Sequence, residues 1–431
     1  MRKSSIQNLN TRLAVHKLFT KTIRQKVFLR DIFDLYTKGF MHSDKAFVKL
    51  LTMATIRHLG QIDDILVRYV VRKPSKIVED ILRIGIAQIL FLRTPHYAAV
   101  NTSVELSKRL GCSGVSGFIN SVLRSVIRDE KNILSEEINL LINTPQWLSE
   151  HIINDYGVIE AEKIAMAHLS EPDLDLTFKH NSMIKTFLSE VDGIMLPGGS
   201  VRVKNQGIVT KLPGYKKGLW WIQDAAAAVP VKLLSRFLKS SASVLDVCAA
   251  PGGKTSQLLS LGFDVTSIDI SPERTKILKQ NLKRLSLSSK IIINNFLKWE
   301  AEDRFDAVLI DAPCSSTGTI RRHPDIPYIK SNKDIFQLIE LQKKMILKGY
   351  DYVKPGGYLL YSNCSILKKE GEYLIDTLTK EYNMSLLPIK DKTDDFESSW
   401  VDSKGTIRVL PSFWESFGGV DGFFVALLQK V

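Results

Sequence analysis

The first third of the chain has the hydrophobic spacing of amphipathic helices. Apolar residues recur at three- and four-residue steps, as at Ile77, Ile81 and Ile84, and this spacing places them on one face of a helix. Pro95 interrupts the pattern, because proline favours turns over helix interiors. We therefore expect residues 1–140 to be nearly all helix.

The pattern changes twice further along the chain. Between 141 and 240 the signals are mixed, with a helix near 147–169 followed by short strand-like pieces that end in glycine and proline turns. From Ser243 onwards strands and helices alternate, which is typical of a parallel sheet covered by helices. The pattern therefore predicts three domains: an all-α domain at 1–140, a small α+β region at 141–240 and an α/β domain at 241–431.

The charge balance indicates a partner of opposite sign. The 431 residues include 59 Lys and Arg against 46 Asp and Glu, which gives a net charge of +13. Eight of the basic residues and no acidic residue lie in the first 30 positions. Basic surfaces bind polyanions such as RNA by releasing condensed counterions. A well-solvated surface is the other interpretation, and charge alone leaves both open.

Membrane and secreted classes receive no support from the sequence. The richest apolar run, 84–92, is bracketed by Arg83 and Arg93 and is shorter than the roughly 18–20 residues that a membrane helix needs. No apolar block precedes a small-residue cleavage site at the N-terminus. The four cysteines make a poor disulfide framework and show no C-x-x-C metal spacing. We therefore expect a cytoplasmic protein without a metal ion.

A glycine turn after the first strand of the α/β domain predicts a cofactor site. Val244–Val247 has the composition of a strand, and Gly252 and Gly253 stand between it and a helix. Glycine lets a ligand approach the backbone closely, and the N-terminus of a helix carries partial positive charge. Asp269 ends the next predicted strand, at a position where an acid commonly binds ribose hydroxyls.

Two nucleotide-binding motifs are excluded by spacing. Gly-Gly-Lys-Thr at 252–255 resembles the end of a P-loop, but the first glycine of that motif would fall at Cys248. The dinucleotide pattern G-x-G-x-x-G is absent as well. A turn with two glycines and an acid one strand later suits S-adenosyl-L-methionine, which has a ribose and a carboxylate but no phosphates. An ordinary strand-to-helix turn is the alternative that the turn alone leaves open.

Two cysteines follow later strands of the same domain. Cys314 ends the run Asp-Ala-Pro-Cys that starts at Asp311, and Cys364 stands in Ser-Asn-Cys-Ser. A cysteine at a strand end becomes a nucleophile when its pKa falls from about 8.5. Any single cysteine is more commonly a small buried residue, and this is our interpretation of Cys112 and, for the most part, of Cys248.

Two thiols and an acid suit methylation of cytosine at C5, a carbon that is a poor nucleophile toward a methyl sulfonium. Addition of a thiolate at C6 breaks the aromaticity of the ring and makes C5 enamine-like. After methylation the C5 proton must be removed and the thiol expelled. One thiol, one acid and a second thiol cover these steps.

Several segments of this chain resemble one protein family, the bacterial 16S rRNA cytosine-5 methyltransferases of the RsmB/Sun/Fmu type. The segments are 246–255, 311–318, Ile-Arg-Arg-His-Pro-Asp-Ile at 320–326, Gln-Asp-Ala at 223–225 and Asp-Gly-Phe-Phe at 421–424. The stretches 94–101 and 119–124 are similar to the NusB-like RNA-binding domain that this family carries. The resemblance covers nearly the whole chain and is weakest between about 170 and 215.

The resemblance implies a fold and a function. It implies a NusB-like helical domain, a small RNA-binding α+β region and a Rossmann-like class I methyltransferase domain, with the boundaries given above. It also implies transfer of a methyl group from S-adenosyl-L-methionine to a cytosine C5 of 16S rRNA. The RNA would be free or at an early stage of assembly, and the enzyme a monomer.

The resemblance also implies a role for each site residue. Cys364 would attack C6, and Cys314 would assist breakdown of the adduct. Asp311, in its protonated or polarised form, would bind the N3/N4 edge of cytosine and lie near the cofactor. Asp269 would bind the ribose. The residues that would wrap the methionine part of the cofactor are Cys248, Ala249, Ala250, Pro251, Gly252, Gly253 and Lys254.

The candidate RNA contacts are Arg321, Arg322 and His323, which would hold phosphate; a structural arginine network is the alternative. The chain departs from the family pattern at Asn363, where a threonine is usual, and at Asn295, where an acid near the adenine is expected. An amide can bind the adenine edge but loses the charge of an acid. We therefore expect a cofactor affinity that is modestly weaker than usual.

Three questions stay open at this point. The RNA could be tRNA instead of rRNA, and the chain could be a non-catalytic assembly factor with a decayed methyltransferase domain, although both cysteines and Asp311 are retained. A nucleotide hydrolase is the weakest option because the P-loop spacing is broken. Cys314 could be the nucleophile, as the Pro-Cys thiol is in DNA cytosine methyltransferases, but the analogy with the RNA enzymes favours Cys364.

Overall fold

The structure is a computed structural model that describes residues 2–137, 139–204, 207–389 and 396–431. These residues form two compact units. The first, called here the helical unit, comprises Met1–Leu169 with Arg322–Ser331, and the second, the catalytic unit, comprises Ser170–Arg321 with Asn332–Val431.

The α-helices are, in chain order, α1 (Arg2–Gln25), α2 (Leu29–Thr37), α3 (His42–Arg57), α4 (Leu59–Tyr69), α5 (Lys76–Leu90), α6 (His96–Arg109), α7 (Ser116–Ser135), α8 (Gln146–Tyr156), α9 (Val158–Leu169), α10 (Ile184–Leu188), α11 (Ala225–Ser235), α12 (Gly253–Ser260), α13 (Pro272–Arg284), α14 (Ile326–Ile329), α15 (Asn332–Asp351) and α16 (Glu372–Glu381).

The strands are β1 (Leu174–Phe178), β2 (Gly193–Met195), β3 (Val201–Val203), β4 (Trp220–Ile222), β5 (Ser243–Val247), β6 (Asp264–Asp269), β7 (Lys290–Ile293), β8 (Phe305–Asp311), β9 (Val353–Asn363), β10 (Ser385–Leu386), β11 (Ile407–Val409) and β12 (Phe423–Gln429).

Helix α5 is the centre of the helical unit. It is buried on all sides from Val78 to Leu90, including its charged residues Glu79, Asp80 and Arg83, and it contacts α1, α3, α4, α6 and α7. Its buried Asp80 is neutralised by Arg24 at 2.6 Å and by Arg83 at 3.2 Å. The predicted all-α N-terminal domain is confirmed. No helix in the described ranges combines the length and the apolar character needed to cross a membrane.

A short segment from the second half of the chain completes the helical unit. Residues 322–331 include α14 and interrupt the sequence of the catalytic unit. The Asp325 carboxylate accepts a hydrogen bond of 2.9 Å from the backbone N–H of Leu29, the first residue of α2. Trp147 Nε1 donates to the carbonyl of Pro327 at 2.9 Å. The segment thus caps one helix of this unit and holds another.

The catalytic unit contains two sheets. The smaller sheet has the strand order β2-β3-β1-β4, with all pairs antiparallel. Its core includes Leu176, Val201 and Trp220. This sheet lies in the same compact unit as the larger one, so a separate domain at 141–240 stays a prediction, and α8 and α9 belong to the helical unit.

The larger sheet positions the site. Its order is β10-β12-β9-β8-β5-β6-β7, with β11 paired to β12. Strands β5 to β9 pair with one another in parallel, whereas β12 pairs with β9 in the antiparallel direction. The direction of the strand order reverses between β5 and β8, and in open α/β sheets ligands bind at the carboxyl ends of the strands beside such a reversal. The Rossmann-like methyltransferase fold predicted from the sequence is confirmed.

Candidate active site

The turn after β5 is shaped to bring backbone close to a ligand. Gly252 has a φ of 104°, a left-handed backbone conformation that residues other than glycine rarely adopt. A Cβ at Gly252 would also lie 2.4 Å from Leu278 Cδ1. The Asp269 carboxylate anchors the turn, since it accepts the N–H of Ala250 at 3.0 Å. This turn opens directly into α12.

A cavity of about 410 Å³ lies against this turn. Its wall includes residues 248–254 together with Asp246 and Asp311, at the ends of β5 and β8, and Gln223 before α11. All seven of the predicted methionine-binding residues therefore line one cavity. Burial raises the pKa of the Cys248 thiol to about 12, so this cysteine stays protonated, in keeping with a packing role.

Asp246 provides a buried acceptor in the cavity wall. Thr255 Oγ1 donates to its Oδ2 at 2.6 Å, and its Oδ1 is buried without a hydrogen-bond partner among the described residues. Burial raises the pKa of Asp246 to about 7. A buried polar atom without a partner calls for a donor, and the amino group of S-adenosyl-L-methionine is such a donor. The residues present therefore fit this cofactor.

Asp311 is held at the edge of the cavity by a lysine. Its Oδ2 lies 2.8 Å from Lys254 Nζ, and its side chain is 35% exposed. Lys254 Nζ also stands 4.8 Å from the centre of the Phe423 ring. Ser362, paired with Asp311 across β8 and β9, donates to the other carboxylate oxygen at 3.2 Å. Both contacts fix the direction of the carboxylate while leaving part of it accessible.

The two candidate thiols lie side by side. Cys314 follows β8, Cys364 follows β9, and their Sγ atoms are 3.4 Å apart. The hydrogen bond to Cys364, with burial, raises the pKa of Cys314 well above its usual value. The Cys314 thiol therefore stays protonated and can donate to the sulfur of Cys364, the residue that the sequence favours as nucleophile.

A buried glutamate, Glu370, lies behind the thiols, and the sequence analysis did not identify it. Its Oε1 accepts from the N–H of Ser315 at 2.9 Å and its Oε2 accepts from Ser365 Oγ at 2.6 Å. Ser315 follows Cys314 and Ser365 follows Cys364. The only hint in the sequence is an acid six positions after Cys364, which is too weak a signal to predict this contact.

Two predicted cofactor residues lie outside the cavity wall. Asp269 is buried, and its two oxygens accept the N–H groups of Ala250 and Ser271 at 3.0 and 2.9 Å. Asn295 is partly exposed, and its Oδ1 accepts the N–H of Leu297 at 3.0 Å. Contacts of Asp269 with ribose and of Asn295 with adenine therefore stay predictions.

The three residues predicted to contact phosphate differ in their exposure in the structure. Arg321 is 0% exposed, and it donates to the carbonyl of Gly418 at 2.7 Å and to Asp421 at 3.3 Å. A guanidinium enclosed in this way cannot reach RNA phosphate, so for Arg321 the structural network, our alternative, is the correct interpretation. Arg322 is partly exposed and His323 exposed, and both open the segment that belongs to the helical unit.

Comparisons with known proteins identify the family. The family model for the 16S rRNA methyltransferase RsmB/F matches residues 237–429, and the NusB family model matches residues 9–128. A relative from Proteus mirabilis called ribosomal RNA small subunit methyltransferase B is 31% identical, covering 98% of this chain and 99% of its own. A relative of the same name from Shewanella oneidensis is also 31% identical, over 90% of this chain and 91% of its own.

Solved structures share the fold. A crystal structure of PH0851 aligns with a TM-score of 0.73 at 22% identity, covering 97% of this chain and 98% of that one. The structure of NSun6 from Pyrococcus horikoshii aligns with a TM-score of 0.55 at 19% identity, covering 67% of this chain and 98% of that one. These likenesses show the fold alone. The family models and the two relatives show that the chain belongs to the RsmB/F family and is an S-adenosylmethionine-dependent RNA methyltransferase.

Proposed function

We propose that this chain methylates C5 of a cytosine in 16S rRNA through a covalent bond between Cys364 and C6 of the base. The observation that carries the proposal is the pair of sulfur atoms 3.4 Å apart at the ends of two adjacent strands. Asp311 ends one of these strands and lines the cavity that fits the cofactor. The names of the relatives support small-subunit rRNA as the substrate.

The cofactor contacts follow from the cavity. Asp246 Oδ1 would accept from the amino group of S-adenosyl-L-methionine, and the turn at 248–253 would face its methionine part. When bound, the cofactor supplies an electrophilic methyl group. Lys254 orients Asp311 through the 2.8 Å ion pair, so one residue of the turn connects the cofactor cavity to the base.

Asp311 suits one edge of cytosine better than another. A carboxylate that is paired with a lysine presents its oxygens as hydrogen-bond acceptors. The N4 amino group of cytosine is a donor, whereas N3 is an acceptor. Asp311 would therefore bind N4 and hold the base with C6 toward the thiols.

Cys364 then begins the reaction. Its thiolate, stabilised by the Cys314 thiol, forms the bond to C6, and the electron pair displaced from the C5–C6 double bond makes C5 nucleophilic. C5 takes the methyl group of bound S-adenosyl-L-methionine, and the electron pair of the broken S–C bond stays on the cofactor's sulfur. Loss of the C5 proton to a base, ultimately solvent, returns an electron pair to the ring and expels Cys364 as a thiolate. A hydrogen bond from Cys314 to the departing sulfur would assist that last step.

Access to the target requires RNA binding as well as chemistry. The base must leave its stack, which costs a few kcal/mol. Exposed basic residues in the first 30 positions, such as Lys17 and Arg30, would bind the surrounding phosphates. We propose free or early-assembly 16S rRNA as the substrate and a monomer as the active form, as the family resemblance implies. Arg322 and His323 remain candidates for phosphate contacts.

The product tests this proposal. Unmodified 16S rRNA and tRNA are each incubated with the protein and labelled S-adenosyl-L-methionine, and the nucleosides are separated after digestion. We expect label in 5-methylcytidine from 16S rRNA. Label in tRNA alone would favour the tRNA alternative. Label in another nucleoside would contradict cytosine C5 as the target, and no label in either RNA would favour an assembly factor.

A further inference from the structure

Glu370 is a charged group at the centre of a buried hydrogen-bond network. It is 0% exposed. Its side chain accepts from Ser315, from Ser365 and from Gln342 Nε2, the last at 2.9 Å. Gln342 Nε2 also donates to the carbonyl of Pro313 at 3.0 Å. The glutamate thus bonds, directly or through Gln342, to residues on both sides of Cys314.

The same glutamate also holds the loop of the second thiol. The Ser365 hydroxyl donates to the Glu370 side chain. The backbone carbonyl of Glu370 accepts from Asn363 Nδ2 at 2.8 Å. Asn363 Oδ1 in turn accepts the N–H of Ser365 at 2.9 Å. Asn363, which stands where a threonine is usual, therefore links both neighbours of Cys364 to Glu370. Its amide nitrogen donates to the Glu370 carbonyl and its amide oxygen accepts from Ser365. The shorter threonine hydroxyl would not reach both groups.

We propose that Glu370 is a positioning residue that ties the Cys314 loop to the Cys364 loop and thereby sets the separation and the roles of the two thiols. The proposal rests on the proposed function, in which one thiol attacks the base and the other assists. Glu370 touches neither sulfur in this role and acts through Ser315 and Ser365.

The negative charge of Glu370 has a role that a neutral side chain of the same shape would not fill. Arg408 pairs with Glu372 instead, and within the described residues no lysine or arginine forms an ion pair with Glu370. A buried carboxylate without an ionic partner is costly and survives where several donors satisfy it. Its charge also contributes to the raised pKa of Cys314, so it opposes ionisation of the assisting thiol.

Glu370→Gln is the most direct variant, because it keeps the shape and removes the charge. The amide presents a donor on one side, which would face either the N–H of Ser315 or the hydroxyl of Ser365, both of which donate to Glu370 in the wild type. The N–H of Ser315 cannot accept a hydrogen bond, and the Ser365 hydroxyl could accept one only by giving up its present donor role. The ties between the loops are therefore weakened. Glu381→Gln is the matched control, since Glu381 is exposed and pairs only with Lys343 on the surface.

The experiment measures the alkylation of each cysteine by iodoacetamide, resolved by peptide mass spectrometry in the full-length protein from pH 6 to 10. In wild type and in Glu381→Gln, we expect iodoacetamide to alkylate Cys364 much faster than Cys314. Glu370→Gln should lower that ratio about tenfold, because one unit of pKa changes the thiolate fraction tenfold. Cofactor binding, followed by calorimetry, should change less than twofold.

Activity and a second variant complete the test. Methyl transfer by Glu370→Gln should fall on the order of 100-fold, as for misplacement of reacting groups by about 1 Å, and Glu370→Asp should recover part of it. If Glu370→Gln does not fold, Ser365→Ala removes one tie with a smaller change and should lower the alkylation ratio in the same direction. An unchanged ratio in a folded variant would overturn the proposal. Because alkylation needs no RNA, a failure of the proposed function would leave this readout intact.

Discussion

Two stretches of the catalytic sequence have equally motif-like residues but opposite outcomes. The thiol region, residues 311–316 and 362–370, brings Cys314 and Cys364 within 3.4 Å, as the proposed chemistry requires. The Arg-Arg-His stretch at 321–323, by contrast, divides: Arg321 is buried in the catalytic unit, and the next residues belong to the helical unit. The difference shows that the pattern of buried strands places the residues that follow them at one edge of the sheet, whereas a residue in a long connection has no such guide to its position.

The largest expected effect comes from the buried arginine. Arg321→Ala leaves Asp421 without this ionic partner, and breaking a buried pair typically costs about 3–5 kcal/mol. Chemical denaturation should show that loss, while Arg322→Ala should stay within about 0.5 kcal/mol of wild type, as surface substitutions usually do. Equal stability of the two variants would contradict the contrast drawn here.

Arg322 sharpens the same comparison from the RNA side. If it contacts one phosphate, Arg322→Ala should reduce the slope of log affinity against log salt concentration by about 0.7–0.9. The measurement is RNA binding by fluorescence anisotropy at several salt concentrations. An unchanged slope would show that Arg322 does not contact RNA phosphate.

On the catalytic side, Asp246 predicts a pH dependence of cofactor affinity. Its pKa is raised to about 7, and a cationic amino group binds its ionised form. Cofactor affinity should therefore rise with pH through 7, by up to about tenfold between pH 6 and 8, and Asp246→Asn should flatten the profile. Calorimetry measures both, with the exposed Asp264→Asn as control. A profile that is flat in the wild type would argue against contact with the amino group.

The same raised pKa predicts the opposite trend for the unliganded protein. The folded pKa of Asp246 exceeds the ordinary value of about 3.9, so the folded state binds more protons between these values. Stability from this group is present below about pH 4 and is lost as pH rises to about 7. Comparing Asp246→Asn with wild type by urea denaturation from pH 5 to 8 isolates this contribution; parallel curves would contradict it.

A smaller effect is expected at Asp325, which caps α2 from nearly 300 positions away. Loss of a helix cap costs about 0.5–2 kcal/mol, so Asp325→Ala should raise amide hydrogen exchange in α2. Asp34→Ala, on the same helix, removes an exposed carboxylate 3.8 Å from Lys45 and should change exchange little. Similar exchange in both variants would show that the segment 322–331 does not stabilise the helical unit.

The smallest effect is expected at Asn295. Asn295→Asp restores the acid that the family resemblance leads us to expect near adenine and keeps the oxygen that accepts from Leu297. Calorimetry should show a cofactor affinity a few-fold tighter, in the range of a typical net hydrogen bond of about 0.5–1.5 kcal/mol. Asn383→Asp, an exposed turn residue, controls for the added charge, and unchanged or weaker binding would contradict the prediction.

The sheet and most of the site could be predicted because their signals are local. Strands such as β5 and β8 are apolar runs, and the residues after parallel strands meet at one edge of a sheet. Cys314, Cys364 and Asp311 therefore converge without any knowledge of the loops. The cofactor turn is predictable for a similar reason, since Gly252 is required by its backbone conformation.

The features that the sequence did not reveal depend on distant partners. Asp325 binds Leu29 across 296 positions, Arg321 meets Asp421 across 100, and Glu370 reaches Ser315 across 55. Each of these is a single polar residue in a connection, without the periodicity that marks a helix or strand. The family resemblance led us to expect Arg321 at the RNA surface, and an arginine with a buried partner has no distinct signature in sequence that would have corrected this.

The most direct test of the account is to trap the protein on its RNA. Wild type, Cys314→Ala and Cys364→Ala are incubated with 16S rRNA and S-adenosyl-L-methionine, and covalent complexes are measured on denaturing gels. The account predicts that Cys314→Ala accumulates a covalent complex, because it lacks the thiol that assists expulsion of Cys364, and that Cys364→Ala forms none. A covalent complex from Cys364→Ala would contradict the assignment of Cys364 as the nucleophile.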